Sequence, residues 1–302
     1  MDINQSSLNI TKVMEQINSF NLPVENKLEV FLFPINSNKF DYMNAVEHLL
    51  ESVIDFALSR KTKEYVGRKN AMKLSKEARA KFKDWKVNKG ELGEFLLFCF
   101  LEGHLGAPKI LSKLELKTSS EMYVHGADGL HYLKLDNGNF QLIFGESKLY
   151  KKLSDGLRDA FKSIRDFKHS INDKGEETSG IIFERSLMSS NLDTVAFTDK
   201  EKEFLSSIIY PTPGSDSVIV DDSFGIFVGY EVDFEKERMT LNNQDFRDHV
   251  KKLVIEEIKS KKDNIIKYID EFDLHGHVFY IYILPFSQLD ESRKIMLKEL
   301  LS

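Results

Sequence analysis

The chain predicts an α/β fold, a mixed sheet flanked by helices, with an N-terminal accessory region over residues 1–88 and the main domain over residues 89–302. Three observations predict it. A strongly apolar helix, GELGEFLLFCFLEG, fills Lys89–Gly103. Three β-type runs follow, the last two joined by LDNGN at 135–139, where Asn-Gly supplies the positive φ angles of a tight hairpin. An amphipathic helix and further strands then return, so the order from residue 89 is α-β-β-β-α-β: an antiparallel meander extended into a mixed sheet.

The elements follow in order from hydrophobic periodicity. Residues 7–20 are weakly helical. LEVFLFPI (28–35) is a short apolar strand stopped by Pro34. Residues 41–60 form one amphipathic helix, with Met43, Val46, Leu49, Leu50, Val53, Ile54 and Ala57 at helical spacing. A basic stretch is helical around Ser75–Lys83. After the apolar helix come strands over Ile110–Lys117, over Met122–Leu135 with a break at Gly126 to Gly129, and over Phe140–Leu149. Leu153, Leu157, Ala160, Phe161, Ile164, Phe167 and Ile171 mark an amphipathic helix. NDKGEETSG (172–180) reads as a loop, and Ser217–Val232 as two short strands around a turn at Asp221-Asp222. Asn243–Phe272 is a long helix, His277–Leu284 an aromatic strand, and residues 287–301 a closing helix.

Composition bounds the function. Hydrophobic residues make up 41% and charged residues 30%, with 23 Phe and 10 Tyr to fill a core. That is an ordinary globular balance, without an apolar run long enough for a membrane span. The polar start MDINQSSLNITK lacks a signal-peptide core. A single Cys excludes an internal disulfide framework and a Cys-rich zinc site. A cytoplasmic protein is expected. Net charge is −6, which does not favour phosphate binding. Yet Arg60–Lys89 holds twelve Lys or Arg against Glu64, Glu77 and Asp84, about +9 with every side chain ionised. This stretch fits a nucleic-acid track and equally a solvated helical face.

One constellation carries chemistry. Phosphodiester hydrolysis needs a hard cation, for which two or three carboxylates suffice, and a Lys that orients water or offsets developing charge. Phe144-Gly145-Glu146-Ser147-Lys148 ends an apolar strand, and strand alternation turns Glu146 and Lys148 to one side. Asp128, between Gly126 and Gly129 in HGADGLHY, lies in the neighbouring strand region that the hairpin brings alongside. Glu94 adds a third carboxylate on an apolar helix face, where a Glu is costly unless paired or metal-bound; Glu91 competes with it and also suits a helix N-terminus. Glu-x-Lys itself is a weak signal, recurring at Glu25-Asn26-Lys27, Glu115-Leu116-Lys117 and Glu257-Ile258-Lys259. Position 146 stands out by its apolar run, the preceding Asp and the Glu-bearing helix.

At these residues the chain resembles the PD-(D/E)XK nuclease superfamily, which implies a restriction-endonuclease-like core. GELGEFLLFCFLE, HGADGLHY and FGESKLY, over roughly residues 89–150, are similar to the HamA family, the nuclease subunits of the Hachiman antiphage defence system. Ala127 stands where the superfamily's name has Pro. The resemblance implies that Glu94, Asp128 and Glu146 are metal or water ligands for Mg²⁺ or Mn²⁺ and Lys148 the catalytic lysine. It implies cleavage of DNA, controlled in trans by a superfamily 2 helicase partner (HamB), and the chain has no G-x-x-x-x-G-K-[ST] loop of its own. The rival readings are a non-catalytic nucleic-acid-binding or partner-binding module on the same fold, and an RNase.

Other residues are weighed beside the site. Lys151, Lys152, Arg158 and Lys162 are candidate nucleic-acid contacts, with Arg165 and Lys168 further along the same polar helix face. Ser147 reads as a packing residue on the opposite side of its strand. His125 and His131 flank Asp128 without a neighbouring carboxylate to fix a tautomer. His104 ends the Glu94 helix, Cys99 is core, and Phe279, Tyr280 and Tyr282 suit sheet packing or a partner surface.

Overall fold

In the computed structural model, the described residues are 3–67, 70–82, 90–116, 126–171, 177–192, 198–211 and 219–302. The strands in chain order are β1 (Glu15–Asn21), β2 (Lys27–Leu32), β3 (Ile35–Asn36), β4 (Lys39–Phe40), β5 (Lys109–Ser112), β6 (Gly129–Lys134), β7 (Phe140–Tyr150), β8 (Ser170–Ile171), β9 (Glu177–Thr178), β10 (Val220–Glu231) and β11 (Phe279–Phe286). Seven of them make one mixed sheet, ordered β1-β2-β11-β10-β7-β6-β5. β5, β6 and β7 are the expected antiparallel meander. β10 then pairs in parallel with both β7 and β11. The N-terminal hairpin β1–β2 joins the same sheet, because β2 pairs in parallel with β11.

Helices cover both faces for reasons legible in their sequences. Glu91–Gly103 is apolar almost all round, and every residue from Glu91 to Glu102 is buried. It lies so close to the sheet that a Cβ at Gly225 would come within 2.8 Å of Leu101. Leu153–Lys168 has one apolar stripe, and Leu153, Leu157, Ala160, Phe161 and Ile164 bury it on the opposite face, where a Cβ at Gly156 would meet Val228 at 2.8 Å. Stacked rings such as Phe100–Tyr282 (centroids 4.9 Å) and Phe224–Phe279 (5.6 Å) fill the layers. Among the described residues, no helix is long and apolar enough to cross a membrane.

Several expected elements are corrected. Residues 7–20 divide into a short helix, Asn9–Val13, and β1. β1 is a largely exposed edge strand, so it lacks the apolar alternation that marks a strand. The 41–60 helix breaks into Tyr42–Leu49 and Ser52–Ala57, where the Ser52 hydroxyl donates to the Ser6 carbonyl at 3.1 Å. The strand expected over 110–117 ends at Ser112 and gives way to a helical turn, Lys113–Leu116, so Glu115 and Leu116 are not in a strand. Lys117, like residues 122–125 of the next expected run, lies outside the described residues.

Asp221-Asp222 is no turn: both residues belong to one continuous strand, β10, where Arg185 Nη2 neutralises Asp222 Oδ1 at 2.7 Å. The long helix over 243–272 is two, Asn243–Lys259 and Lys262–Glu271, interrupted where the Ser260 hydroxyl turns back to the Glu257 carbonyl. Helices Gly180–Asn191 and Asp199–Ile209 stand between the Leu153–Lys168 helix and β10. Of the 172–180 loop, residues 172–176 lie outside the described residues. In the basic stretch, residues 68–69 and 83–89 lie outside them too. The rest forms helices Arg60–Val66 and Ala71–Lys81, with Lys63 bound to Asp55 at 2.6 Å.

Candidate functional site

The site forms where two paired strands part. β6 pairs with β7 only from Lys134↔Phe140 to Leu130↔Phe144. β7 runs on to Tyr150, held on its other side by β10. Asp128 stands just before β6 at this fork. Its N–H donates to the Gly145 carbonyl at 2.8 Å, and its Oδ2 accepts both the N–H and the hydroxyl of Ser147, each at 2.8 Å. The carboxylate thus takes over a backbone donor that a longer β6 would have satisfied. Gly145 keeps the crossing tight, since a Cβ there would lie 3.0 Å from Leu97 and 3.2 Å from the Gly129 carbonyl oxygen.

Glu146 and Lys148 project together, as strand alternation predicts. Lys148 Nζ lies 2.9 Å from Glu146 Oε1 and 3.0 Å from Oδ2 of Asp159, which comes from the Leu153–Lys168 helix. The Tyr150 hydroxyl donates to the same Asp159 oxygen at 2.8 Å. Burial and the neighbouring Asp128 charge push the Glu146 carboxyl up to about 7, against the pull of Lys148. Burial opposes the Lys148 charge, but Glu146 and Asp159 outweigh it and hold the ammonium above the usual lysine range.

Glu94 is buried in the first turn of its helix. That helix lies against the other face of β7, where a Cβ at Gly93 would touch the Ser147 hydroxyl at 3.2 Å. Glu94 therefore approaches the fork from behind. Among the described residues, no three His, Cys, Asp or Glu side chains stand close enough together to hold a metal ion. What links the acids is Lys113, whose Nζ is 3.3 Å from Asp128 Oδ1 and whose charge is supported by Asp128, Glu94 and Glu146 against the cost of burial.

The structure places the remaining candidates plainly. Lys151, Lys152, Arg158 and Lys162 are exposed, the first two just past β7 and the others on the helix that carries Asp159. Arg158 also pairs with Glu271 at 2.9 Å. Lys168 donates to the Asp273 carbonyl, and Arg165 lies over the Phe272 ring. Ser147 is more than packing: its hydroxyl and N–H anchor Asp128. Glu91 is buried at 1% exposure, and Cys99 is core. His104 caps its helix, with Nδ1 3.2 Å from the Tyr282 hydroxyl. Tyr282 is buried in the sheet, and the Tyr280 hydroxyl donates to Gln141 at 2.7 Å. His125 lies outside the described residues.

His131 is a core residue of β6. Its Nδ1–H donates to the Ala107 carbonyl at 2.8 Å, and burial lowers its pKa to about 4. The unfolded chain binds the proton more readily, so the stability this neutral ring confers is full above pH 6.5 and lost as pH falls toward 4. The loss amounts to about 3 kcal/mol. Urea unfolding across that range should show it, and His131→Gln should flatten the profile; an unchanged slope counts against a buried neutral ring.

Two site residues escaped the sequence reading. Asp159 lies at i+11 from Lys148 on an amphipathic helix, among other acids that look alike. Lys113 sits inside what reads as a strand, and only the β5–β6 register brings it to Asp128.

Fold and site together define a mixed-sheet α/β protein with a carboxylate–lysine cluster at a strand fork. The HamA family model matches residues 9–300, essentially the whole sequence. The chain belongs to the HamA family, as its three motifs led one to expect. Comparison with curated proteins gave no match.

Proposed function

We propose that this protein is a metal-dependent DNA nuclease, the effector of Hachiman antiphage defence, kept in check by a superfamily 2 helicase partner. Membership of the HamA family supports the defence role. The observation that carries the nuclease reading is the fork itself, where Asp128, fixed by Ser147, stands beside the Glu146–Lys148 pair past the end of the β6–β7 pairing. The donor set fits Mg²⁺ or Mn²⁺, since these hard cations take carboxylate oxygens and need only one or two from the protein. Asp128 and Glu146 are the ligands in this reading, and Glu94, reaching the fork from the other face, positions a ligand water. The bound ion would supply Lewis-acid polarisation of the phosphate and a water of lowered pKa.

The chain's own groups do the rest. Ser147 fixes Asp128 by two hydrogen bonds, so that carboxylate does not have to be ordered on binding. Asp159 holds the Lys148 ammonium, which stays protonated and stabilises charge that develops on the phosphoryl oxygens. Lys151, Lys152, Arg158 and Lys162 line the adjoining surface and would contact backbone phosphates. The acidic total charge limits non-specific affinity, which suits a nuclease directed to DNA by its partner.

The deciding experiment uses purified protein, alone and with the helicase subunit, on matched DNA and RNA. DNA loss that requires Mg²⁺ or Mn²⁺ and stops with chelator is the expected result. Retained DNA binding without cleavage under either cation points to a binding module instead, and preferential loss of RNA points to an RNase.

A further inference from the structure

The ammonium of Lys113 stands against Asp128 at the fork. Lys113 directly follows β5, and the Ser112↔Gly129 pair sets it beside Asp128. Its backbone N–H donates to the Asp128 carbonyl at 3.2 Å, and its Nζ lies 3.3 Å from Oδ1. Its side chain is only 21% exposed, a costly setting for a charge unless carboxylates surround it. Here Asp128 at the start of β6 pairs with it directly, and the charges of Glu94 on the helix behind β7 and of Glu146 on β7 add support.

The two oxygens of Asp128 are unequal. Oδ2 is tied to Ser147 by two bonds, whereas Oδ1 faces Lys113. A divalent cation approaching Oδ1 would meet the ammonium, and two cations cannot share so few carboxylates without strong repulsion. Lys113 has a flexible four-carbon stem on which to withdraw. We propose that Lys113 is the resident counter-ion of the cluster, competing with the divalent cation for Asp128 Oδ1 and leaving that oxygen when the cation binds. The inference rests on the reading of Asp128 and Glu146 as metal ligands.

Calorimetric titration of Mn²⁺ into the full chain tests it, without any need for turnover. Wild type, Lys113→Met, Lys113→Arg and Asp128→Asn are compared, each checked by circular dichroism and urea unfolding in the absence of metal. Lys113→Met should unfold at lower urea than wild type yet bind Mn²⁺ at least about tenfold more tightly, because a competing unit charge has gone. Lys113→Arg, which keeps the charge, should bind as wild type does. A lysine with a purely structural role would lower stability without tightening binding. Equal or weaker Mn²⁺ affinity in Lys113→Met, with binding abolished in Asp128→Asn, overturns the counter-ion role and leaves the metal site standing. No binding by wild type or any variant overturns both. Should Lys113→Met not fold, Lys113→Gln is judged by the same criteria.

Discussion

Lys148→Ala should leave a folded protein whose metal-dependent DNA cleavage is slower by at least about a hundredfold, the usual loss when one preorganised charge partner of the transition state is removed. The size follows from how the ammonium is held. It bridges Glu146 at 2.9 Å and Asp159 at 3.0 Å, so it is already aimed and partly desolvated before substrate arrives. Stability should fall too, because the largely buried Glu146 loses the cation that offsets its burial and the Asp128 charge, so unfolding is measured beside cleavage to separate the two losses. Glu146→Ala should be as severe for cleavage, through the lost ligand. Asp159→Asn should cost less, since the carboxamide oxygen still accepts from Lys148. Cleavage rates on labelled DNA, with helicase binding and unfolding measured in parallel, check all three. Equal cleavage by wild type and the Glu146→Ala/Lys148→Ala double variant would sink the nuclease reading.

Asp128→Ala should damage both function and folding. Its side chain satisfies the Ser147 N–H and hydroxyl and pairs with Lys113. Truncation leaves those half-buried donors short of a partner, at about 1 kcal/mol or somewhat more. Relief of repulsion on Glu146 offsets part of this, because Asp128 is one of the groups that raise its pKa. Asp128→Asn separates the two roles. Its carboxamide oxygen still accepts from Ser147, so urea unfolding should drop less than in Asp128→Ala, the lost pairing with Lys113 making the difference from wild type, while cleavage falls by about a hundredfold or more for want of a charged ligand. If Asp128→Asn cleaves normally, Asp128 serves the fork alone.

Much of this could be read from the chain before folding. The apolar Glu94 helix, the Asn-Gly hairpin and the Leu153 stripe were strong local signals that became the expected elements, except that the last helix stops at Lys168 and Ile171 falls in β8. Glu146 and Lys148 share a side because a strand alternates. Other elements failed where local pattern and tertiary environment disagree. β1 carries little apolar alternation because, at the end of the sheet, none of its side chains is fully buried. Asp221 and Asp222 look like a turn, but Arg185 from a distant helix makes Asp222 acceptable in a strand. The lysine at 113 gave no signal at all, since its meaning depends on which residue lies across from Ser112.

Propensity, periodicity and side-chain type are local properties, and they already specify the apolar Glu94 helix, the β6–β7 hairpin, the Leu153 helix and the shared side of Glu146 and Lys148. Long-range packing set the rest: β6 leaves β7 at Leu130, Ser147 and Lys113 divide the two oxygens of Asp128, Asp159 steadies Lys148, and the Glu94 helix docks on the opposite face, from which its charge acts on Lys113. Those outcomes depend on strand register and on helices docking across a sheet. Register and docking are set by the summed burial of residues far apart in the chain, which no short window of sequence contains.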